Sequence, residues 1–223
     1  MKTTAYPLSR YSLIICLLCC AAAQALEPIK LEPIKLAAPD FSSSKPLMQV
    51  LKERKSTKAY DTRPLPKEKL SHLLWAAFGI NRRDSGKRTV ATAVNCQDID
   101  IYVVMAQGVY VYQAEGHNLI PVLAQDVRSL AATQGYAQKA PINLAYISDY
   151  AKMDDRFGAK KSIYSAFHAG SISQNVYLYC ASAGLGAVVR DGVNRGALSK
   201  ALKLRDKQTI VMVQTVGYPL PAP

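Results

Sequence analysis

Cysteine is scarce in this chain of 223 residues, and most of it lies in one place near the N-terminus. Cys16, Cys19 and Cys20, three of the five cysteines, fall within a single apolar run. The other two, Cys96 and Cys180, cannot supply the disulfide framework that small secreted domains use. We therefore expect two unpaired thiols and a fold stabilised by an ordinary hydrophobic core.

Histidine is rarer still, with His72, His117 and His168 spread along the chain. A metal site needs ligands that converge, and three such dispersed residues do not predict one. Each histidine is expected to lie at the surface or to be capped on a helix. The sequence thus predicts neither a metal site nor a histidine-based catalytic triad.

Acidic residues are few as well: 16 Asp and Glu face 28 Lys and Arg, which gives a formal net charge of +12. Such a surplus fits nucleic acid, an anionic membrane surface, phosphate ligands or simple solubility. Nucleic acid is disfavoured because the basic residues are dispersed and do not alternate with aromatic residues in a stacking platform. Charge by itself does not choose among the remaining alternatives.

Only one long apolar run occurs, at residues 13–23, and it is too short for a transmembrane helix, which needs about 20 apolar residues. Lys2 and Arg10 precede the run, and the Ala-Gln-Ala at 23–25 has the small residues of a cleavage site. We interpret residues 1–25 as a secretory signal peptide. We therefore expect export across the inner membrane, to the periplasm, and no integral membrane segment after cleavage.

Residues 26–44 are expected to form an arm or linker. The pentapeptide Leu-Glu-Pro-Ile-Lys occurs at 26–30 and again at 31–35, and a proline in every copy prevents a continuous helix and favours an extended chain. The arm is either a spacer or a segment that wraps a partner subunit. The rest of the chain, 45–223, has no internal linker and is expected to form one domain.

Hydrophobic periodicity within that domain predicts mixed α and β structure. The predicted helices are a short one capped by Ser44 and begun by Pro46, then 67–78 ended by Gly79, 162–183 and 196–202. The predicted strands are 100–106 and 109–113, joined by a turn at Gln107-Gly108, followed by 142–148, 186–189 and 209–217. Strands and helices do not alternate strictly, so a doubly wound parallel sheet is not expected.

The first of three polar stretches that could bind a ligand follows the first helix. If the chain is extended there, Arg54, Ser56 and Lys58 point to the same side. Two cations and a hydroxyl suit a phosphate, because arginine offers a planar fork, lysine a point charge and serine a short donor. When this stretch is considered alone, a solvated basic helix end is the favoured interpretation.

The second and third stretches could contact a flat ligand. Small residues at 91–94 would let the backbone approach it, and the amides of Asn95 and Gln97 suit the edge of a heteroaromatic ring. Small residues at 169–171 leave room for close helix packing, including against a second subunit. The turn at 190–192 follows a strand, where ligands commonly bind in proteins of mixed α and β structure.

In this order and spacing, and with the closing Gly217-Tyr218-Pro219, the sequence resembles the nitroreductase family of FMN-dependent oxidoreductases. The branch of SagB-type azoline dehydrogenases is the most similar. The resemblance covers about residues 45–219. It implies an α+β fold with a central, mostly antiparallel sheet flanked by helices, an intertwined homodimer, and FMN bound at the interface of the two subunits.

The resemblance also implies roles for individual residues. Arg54, Ser56 and Lys58, with Lys55 beside them, would hold the FMN phosphate, the ribityl chain and the pyrimidine edge of the ring. No residue is assigned as catalytic, because hydride enters and leaves at flavin N5 without an obligatory side-chain acid or base.

Two further segments would face the flavin ring. Asn95 and Gln97 match the end of the family's small-residue loop, and Thr92 lies in the part usually given to the flavin of the other subunit. The turn whose backbone would face the dimethylbenzene or N5 side consists of Val189, Arg190, Asp191 and Gly192.

The sequence departs from the family pattern at both ends of this site. Asp98 replaces a proline that often follows the loop, and no basic residue for the phosphate follows Gly217-Tyr218-Pro219. The side chain of Arg190 is expected to take the place of that basic residue. Cys96 beside the loop is either a reactive thiol or a small apolar filler.

These observations lead to three functional hypotheses. The chain is an exported FMN-dependent oxidoreductase that reduces a nitroaromatic, a quinone or a related small acceptor. Alternatively, it is an azoline-type dehydrogenase acting on a modified peptide, or a flavin-free binding protein with the same fold. If the protein is exported, its electron donor is expected to differ from free NAD(P)H, because the soluble nicotinamide cofactors are found in the cytoplasm.

Overall fold

The computed structural model describes residues 30–42 and 45–221. The chain divides after Lys30, and the unit that begins at Leu31 contains every element described below. The predicted signal peptide, most of the first copy of the pentapeptide, and the predicted capping residue Ser44 lie outside the described residues.

The strands form one large antiparallel sheet and one small hairpin. In chain order they are β1 (Ile34–Lys35), β2 (Ile80–Arg82), β3 (Lys87–Arg88), β4 (Ile99–Met105), β5 (Gly108–Gln113), β6 (Asn118–Leu123), β7 (Ile142–Asp149), β8 (Gly186–Arg190) and β9 (Gln208–Gly217). Strands β2 and β3 pair with each other. The other strands of the described chain form a 7-stranded sheet in the order β1-β6-β5-β4-β7-β9-β8, with antiparallel neighbours throughout.

The α-helices pack on both faces of this sheet. In chain order they are α1 (Leu47–Glu53), α2 (Lys67–Phe78), α3 (Arg128–Ala131), α4 (Gly135–Lys139), α5 (Lys161–Ser182) and α6 (Arg195–Ala201). Within the described part of the chain, none of the helices combines the length and the apolar character that crossing a bilayer requires.

Most of the predicted elements are confirmed. Helix α2 has the predicted bounds and ends at Gly79, and α5, α6, β7, β8 and β9 match the prediction to within one residue at each end. The hairpin turn was predicted one residue too late: it consists of Ala106 and Gln107, because Gly108 already pairs with Met105. The predicted α+β class with an antiparallel sheet is therefore correct.

Short or irregular elements are the ones that the sequence did not predict, namely β2, β3, β6, α3 and α4. Strand β6 contains Pro121, which cannot donate to a ladder and normally argues against a strand. It is tolerated because the register with β5 shifts at this point, between the pairs Val109–Leu123 and Tyr110–Pro121. The shift is a local bulge, where a missing N–H donor costs little.

The core explains why β7 reads as one continuous apolar run. All of its residues are buried. Leu144 and Tyr146 belong to the core layer shared with α2 and α5, whereas Ala145 and Ile147 belong to the layer that α6 covers with Leu198. A strand buried on both faces has no solvent side, so the usual alternation of polar and apolar residues disappears.

The second copy of the pentapeptide ends in strand β1. Ile34 and Lys35 pair with Leu119 and Asn118 of β6, and the N–H of Leu36 donates to the carbonyl of His117 at 3.1 Å. This copy thus adds a short edge strand to the sheet.

Candidate functional site

The segment that follows α1 runs along the outer edge of β8. Ser56 forms an isolated parallel bridge with Ala187, and the N–H of Thr57 donates to the Ala187 carbonyl at 3.0 Å. The approach is close at Gly186, where an added Cβ would lie 2.7 to 2.8 Å from atoms of the Thr57 side chain. Glycine at this position therefore permits the contact that holds the predicted phosphate-binding segment to the sheet.

Tyr177 of α5 joins this segment to the turn after β8. Its hydroxyl lies 3.2 Å from Ser56 Oγ and accepts a hydrogen bond from the N–H of Val189 at 2.8 Å. The guanidinium carbon of Arg54 lies 5.3 Å from the centre of the Tyr177 ring, within range of a cation–π contact. Two of the sequence-predicted regions, 54–56 and 189–192, thus meet at one buried hydroxyl.

The remaining members of the first stretch lie at the surface. Lys58 and Lys55 are exposed. Lys55 and Thr57 line a groove of about 640 Å³ whose wall also includes Tyr177 and Pro219. Tyr177 itself was missed by sequence reasoning, because nothing distinguishes it from the other tyrosines until the fold brings Ser56 and Val189 to it.

The loop at 91–97 has a strained backbone. Val94, Asn95 and Gln97 all have positive φ, at 46°, 57° and 48°, which non-glycine residues rarely adopt. Strain of this kind costs about 1–3 kcal/mol per residue and persists only where the surroundings hold it in place. The loop is therefore maintained by contacts from outside itself.

Hydrogen bonds of Gln97 provide part of that support. Its Oε1 accepts from Arg88 Nε at 2.7 Å, and its Nε2 donates to the Gly86 carbonyl and to Asn95 Oδ1, both at 3.1 Å. The N–H of Gln97 donates to Thr92 Oγ1 at 3.0 Å. The three loop residues predicted to face the flavin are therefore brought together, and the β2–β3 hairpin fixes them.

A buried Asp–His pair provides the rest of the support. Asp98 and His168 are both fully buried, and His168 Nδ1 lies 2.6 Å from Asp98 Oδ1. His168 Nε2 accepts a hydrogen bond from the N–H of Ala93 at 2.8 Å. Because Nε2 is an acceptor, Nδ1 carries the proton and donates to the carboxylate. The expectation that His168 lies at the surface or caps a helix is wrong: it anchors the loop from beneath.

Asp98 is stabilised as a carboxylate by several donors. The hydroxyl of Ser148 donates to its Oδ2 at 2.7 Å, and that of Ser165 at 3.0 Å. Burial alone would raise the pKa of Asp98, but the hydrogen bonds from His168, Ser148 and Ser165 lower it below the ordinary value. Asp98 therefore gives the loop a polar anchor.

Cys96 lies at the edge of the same cluster. Its Sγ is 3.5 Å from Asp98 Oδ1, and burial together with the Asp98 charge raises the pKa of the thiol. A raised pKa disfavours the thiolate, which is the reactive form. Cys96 and Cys180 are both free thiols, as predicted.

Ligand atoms of Cys96, Asp98 and His168 all lie within 4.8 Å of one another, a grouping that could hold a metal ion and that the dispersed sequence positions did not reveal. In the structure these atoms already form hydrogen bonds. The thiol and the imidazole donate to the Asp98 carboxylate, and the second imidazole nitrogen accepts from the N–H of Ala93. The arrangement satisfies its own polar atoms, which is the pattern of a structural hydrogen-bond network.

The turn after β8 has a buried side chain and an exposed one. Arg190 is only 9% exposed, whereas Asp191 is exposed and pairs with Arg195. The Arg190 guanidinium faces the protein interior, where it donates to Asn143 Oδ1 and to the carbonyl of Ala131. The expectation that this side chain replaces the missing terminal cation at a phosphate is therefore corrected, because its donors are committed inside the fold.

The two halves of the candidate site are separated along α5. His168 supports the loop at 91–97 and Tyr177 supports the segment at 54–56, and nine residues of helix span about 13 Å. No hydrogen bond between described residues joins the two halves directly. The described chain thus presents two partial surfaces.

An apolar surface lies next to the loop half. Val94, Ile163 and Phe167 are 63%, 68% and 66% exposed. Ile163 and Phe167 line a pocket of about 520 Å³ together with residues 91–93 and His168. Large apolar side chains this exposed are typical of surfaces that meet another surface.

Comparison with known proteins agrees with this fold. The model of the Nitroreductase family matches residues 51–218. A nitroreductase-like protein of Methanocaldococcus jannaschii is 30% identical over 191 residues, which cover 81% of this chain and 96% of that protein. The chain therefore belongs to the nitroreductase family, and it is an oxidoreductase of the flavin-dependent type.

Solved structures give the same result for the fold. A nitroreductase-like protein from Ralstonia eutropha has 37% identity and a TM-score of 0.81, and the match covers 88% of this chain and 99% of that one. A chain of the Escherichia coli microcin synthetase complex has 19% identity and a TM-score of 0.66, and the match covers 97% of this chain and 84% of that one. At this identity the second match concerns the fold alone.

Proposed function

We propose that this protein is an exported, FMN-dependent oxidoreductase that transfers hydride or electrons through flavin N5 to a nitroaromatic, a quinone or a related small acceptor. The observation that supports this most strongly is the junction at Tyr177, whose hydroxyl contacts both Ser56 and the backbone of Val189. The junction keeps side chains that can donate hydrogen bonds to a phosphate close to the turn expected to face the flavin ring.

The donors of the segment at 54–58 fit a phosphate. Arg54, Ser56 and Lys58 offer a guanidinium, a hydroxyl and an ammonium, and none of the ion pairs between described residues involves Arg54 or Lys58. The acidic residues that flank this segment in the chain are already engaged, since Glu53 pairs with Lys45 and Asp61 with Arg63. An anion there would meet uncompensated positive charge, which favours binding.

When bound, FMN supplies the redox chemistry, because it accepts hydride from a donor and passes it to an acceptor. The chain's own residues hold and orient it. Arg54 and Ser56 would bind the phosphate end, and Lys58 would lie toward the pyrimidine edge, where a cation stabilises the negative charge of the reduced ring. The backbone at 189–192, fixed by Tyr177, would orient the other end of the ring.

A homodimer would complete the site. The loop half and the phosphate half lie about 13 Å apart on α5, so the loop with Thr92, Asn95 and Gln97 would cover the flavin held by the partner subunit. The exposed apolar surface of Val94, Ile163 and Phe167 would then be buried by the second copy. This arrangement accounts for both the separation and the exposed apolar side chains.

Flavin retention tests the assignment. We expect the purified protein to show flavin absorbance bands, and Arg54→Ala to weaken FMN binding about tenfold or more, because it removes charge-assisted hydrogen bonds worth about 1.5–3 kcal/mol. Ser56→Ala should have a smaller effect in the same direction. The measurement is titration of the apoprotein with FMN, in which quenching of the flavin fluorescence reports binding.

Arg83→Ala is a matched control, because Arg83 is an exposed arginine in the tip of the β2–β3 hairpin. It should leave FMN binding unchanged. Equal retention of FMN by the Arg54, Ser56 and Arg83 variants would contradict the assignment, and absence of any FMN binding by the unaltered protein would favour the flavin-free alternative.

The electron donor follows from the proposed export. An exported enzyme does not meet free NAD(P)H, so we expect micromolar NADPH to reduce the bound flavin slowly and without saturation. Stopped-flow absorbance in the absence of oxygen measures this step, with dithionite reduction as the control for a competent flavin. Fast, saturable bleaching by NADPH would overturn the proposed donor and would leave the flavin assignment intact.

A further inference from the structure

Arg190 is a buried arginine that has no carboxylate partner among the described residues. It lies at the end of β8 and is 9% exposed. Its hydrogen bonds in the described chain all go to neutral oxygens: Thr215 Oγ1 at 2.9 Å, the Ala131 carbonyl at 2.8 Å, and the Gly192 carbonyl and Asn143 Oδ1 at 2.5 Å. Its charge is therefore solvated by dipoles and is not neutralised.

By contrast, Arg128 and Arg195 are each paired with an acid, in Arg128–Asp126 and Arg195–Asp191. Burial lowers the pKa of Arg190 from its ordinary value, as expected for a cation removed from water. Arginine nevertheless stays protonated under ordinary conditions. The fold thus maintains one net positive charge in a region of low dielectric, where its field extends further than that of a surface charge.

The charge lies directly beneath the turn at 189–192. Arg190 Nη1 and the N–H of Thr133 both donate to the Gly192 carbonyl, the latter at 3.1 Å, so this carbonyl points into the protein. The N–H of Val189 is fixed by Tyr177 at the other end of the turn. The guanidinium therefore sets the conformation of the turn and places a positive charge behind it.

We propose that Arg190 is a positioning residue that raises the reduction potential of the flavin by holding the turn at 189–192 and by supplying an uncompensated buried positive charge behind it. This inference rests on the proposed function, in which the flavin ring lies against that turn. Reduction adds a hydride, that is two electrons and one proton from a hydride donor, so the ring gains one negative charge. A nearby positive charge stabilises that product more than the neutral oxidised ring.

The test is the midpoint potential of the FMN-loaded protein, measured by anaerobic equilibration with a reference dye. Arg190→Gln should lower the ratio of the affinities for reduced and oxidised FMN about tenfold. For a two-electron couple this corresponds to a midpoint potential about 30 mV lower. Arg190→Lys retains the charge and should keep most of the potential. Arg195→Gln, at the start of α6 and paired at the surface with Asp191, is the matched control and should change this ratio less than about threefold.

A second variant keeps Arg190 in place, in case Arg190→Gln does not fold. Asn143→Asp puts a carboxylate at the oxygen that accepts from Arg190, and the resulting neutralisation should also lower the potential. If the FMN-loaded Arg190→Gln and Asn143→Asp variants keep the midpoint potential of the unaltered protein, the inference about Arg190 is overturned. It is also overturned if Arg195→Gln shifts the potential as much as they do. Either result leaves the proposed function intact. If the unaltered protein binds no FMN, the proposed function fails, and this inference fails with it.

Discussion

Asp98→Ala should lower the free energy of unfolding by about 3–5 kcal/mol, because it removes one partner of a buried charged network. Asp98 accepts hydrogen bonds from His168, Ser148 and Ser165, and all four side chains are buried. Without the carboxylate these donors lose their acceptor inside the core. His168 would also lose its orientation, and with it the hydrogen bond that holds the strained loop at Ala93.

Urea unfolding followed by circular dichroism at pH 7 measures this effect. Asp100→Ala is the control two residues further along, because Asp100 forms a partly exposed pair with Lys152 and should cost only about 0–1 kcal/mol. A loss from Asp98→Ala no larger than that from the control would show that the network is not stabilising.

The same network has an expected pH dependence. The pKa of Asp98 is lowered in the folded protein from the 3.8 of an unfolded chain, so its contribution is fully present above that value and is lost as the pH falls through the folded pKa. The stability difference between the unaltered protein and Asp98→Asn should therefore shrink below about pH 4. A difference independent of pH would contradict the assignment of a carboxylate at this position.

Gly186→Val is expected to have the largest effect on flavin binding, a loss of about 100-fold. Even a single Cβ at this position would lie 2.7 to 2.8 Å from the Thr57 side chain. Overpacking of this kind costs about 1–3 kcal/mol, and the simplest relief is separation of the segment at 54–58 from β8. That movement would remove Arg54, Ser56 and Lys58 together from the phosphate position.

FMN titration gives the loss directly, and circular dichroism checks that the fold is retained. Gly196→Val in α6 is the control, because an added Cβ at this exposed glycine meets nothing within 4 Å. It should bind FMN like the unaltered protein. Normal FMN binding by a folded Gly186→Val variant would show that the edge of β8 does not position the phosphate segment.

Much of the fold could be predicted from the sequence because its long elements have a clear period. Helix α2 carries Leu70, Leu73 and Leu74 on one face, and β7 is a run of apolar residues between turn signals. These patterns reflect burial of a local surface, which depends on neighbouring residues in the chain. Short elements such as β6, with Pro121 at a bulge, form only because a partner strand is present.

The candidate site divides in the same way. The residue types at 54–58, 91–97 and 189–192, and hence the membership of the nitroreductase family, could be recognised from order and spacing alone. The role of Arg190 could not, because a charged residue after a strand is normally exposed, and here four neutral oxygens from distant segments draw it inside.

The sequence by itself determined the order of the long elements, the antiparallel α+β class and the family. Only the tertiary structure decided that His168 is buried against Asp98, 70 residues away, and that Tyr177 joins Ser56, 121 residues away, to the end of β8. The physical reason is that periodicity and propensity are local properties, whereas the partner of a buried polar group is chosen by which distant segments the packed core brings within hydrogen-bonding distance.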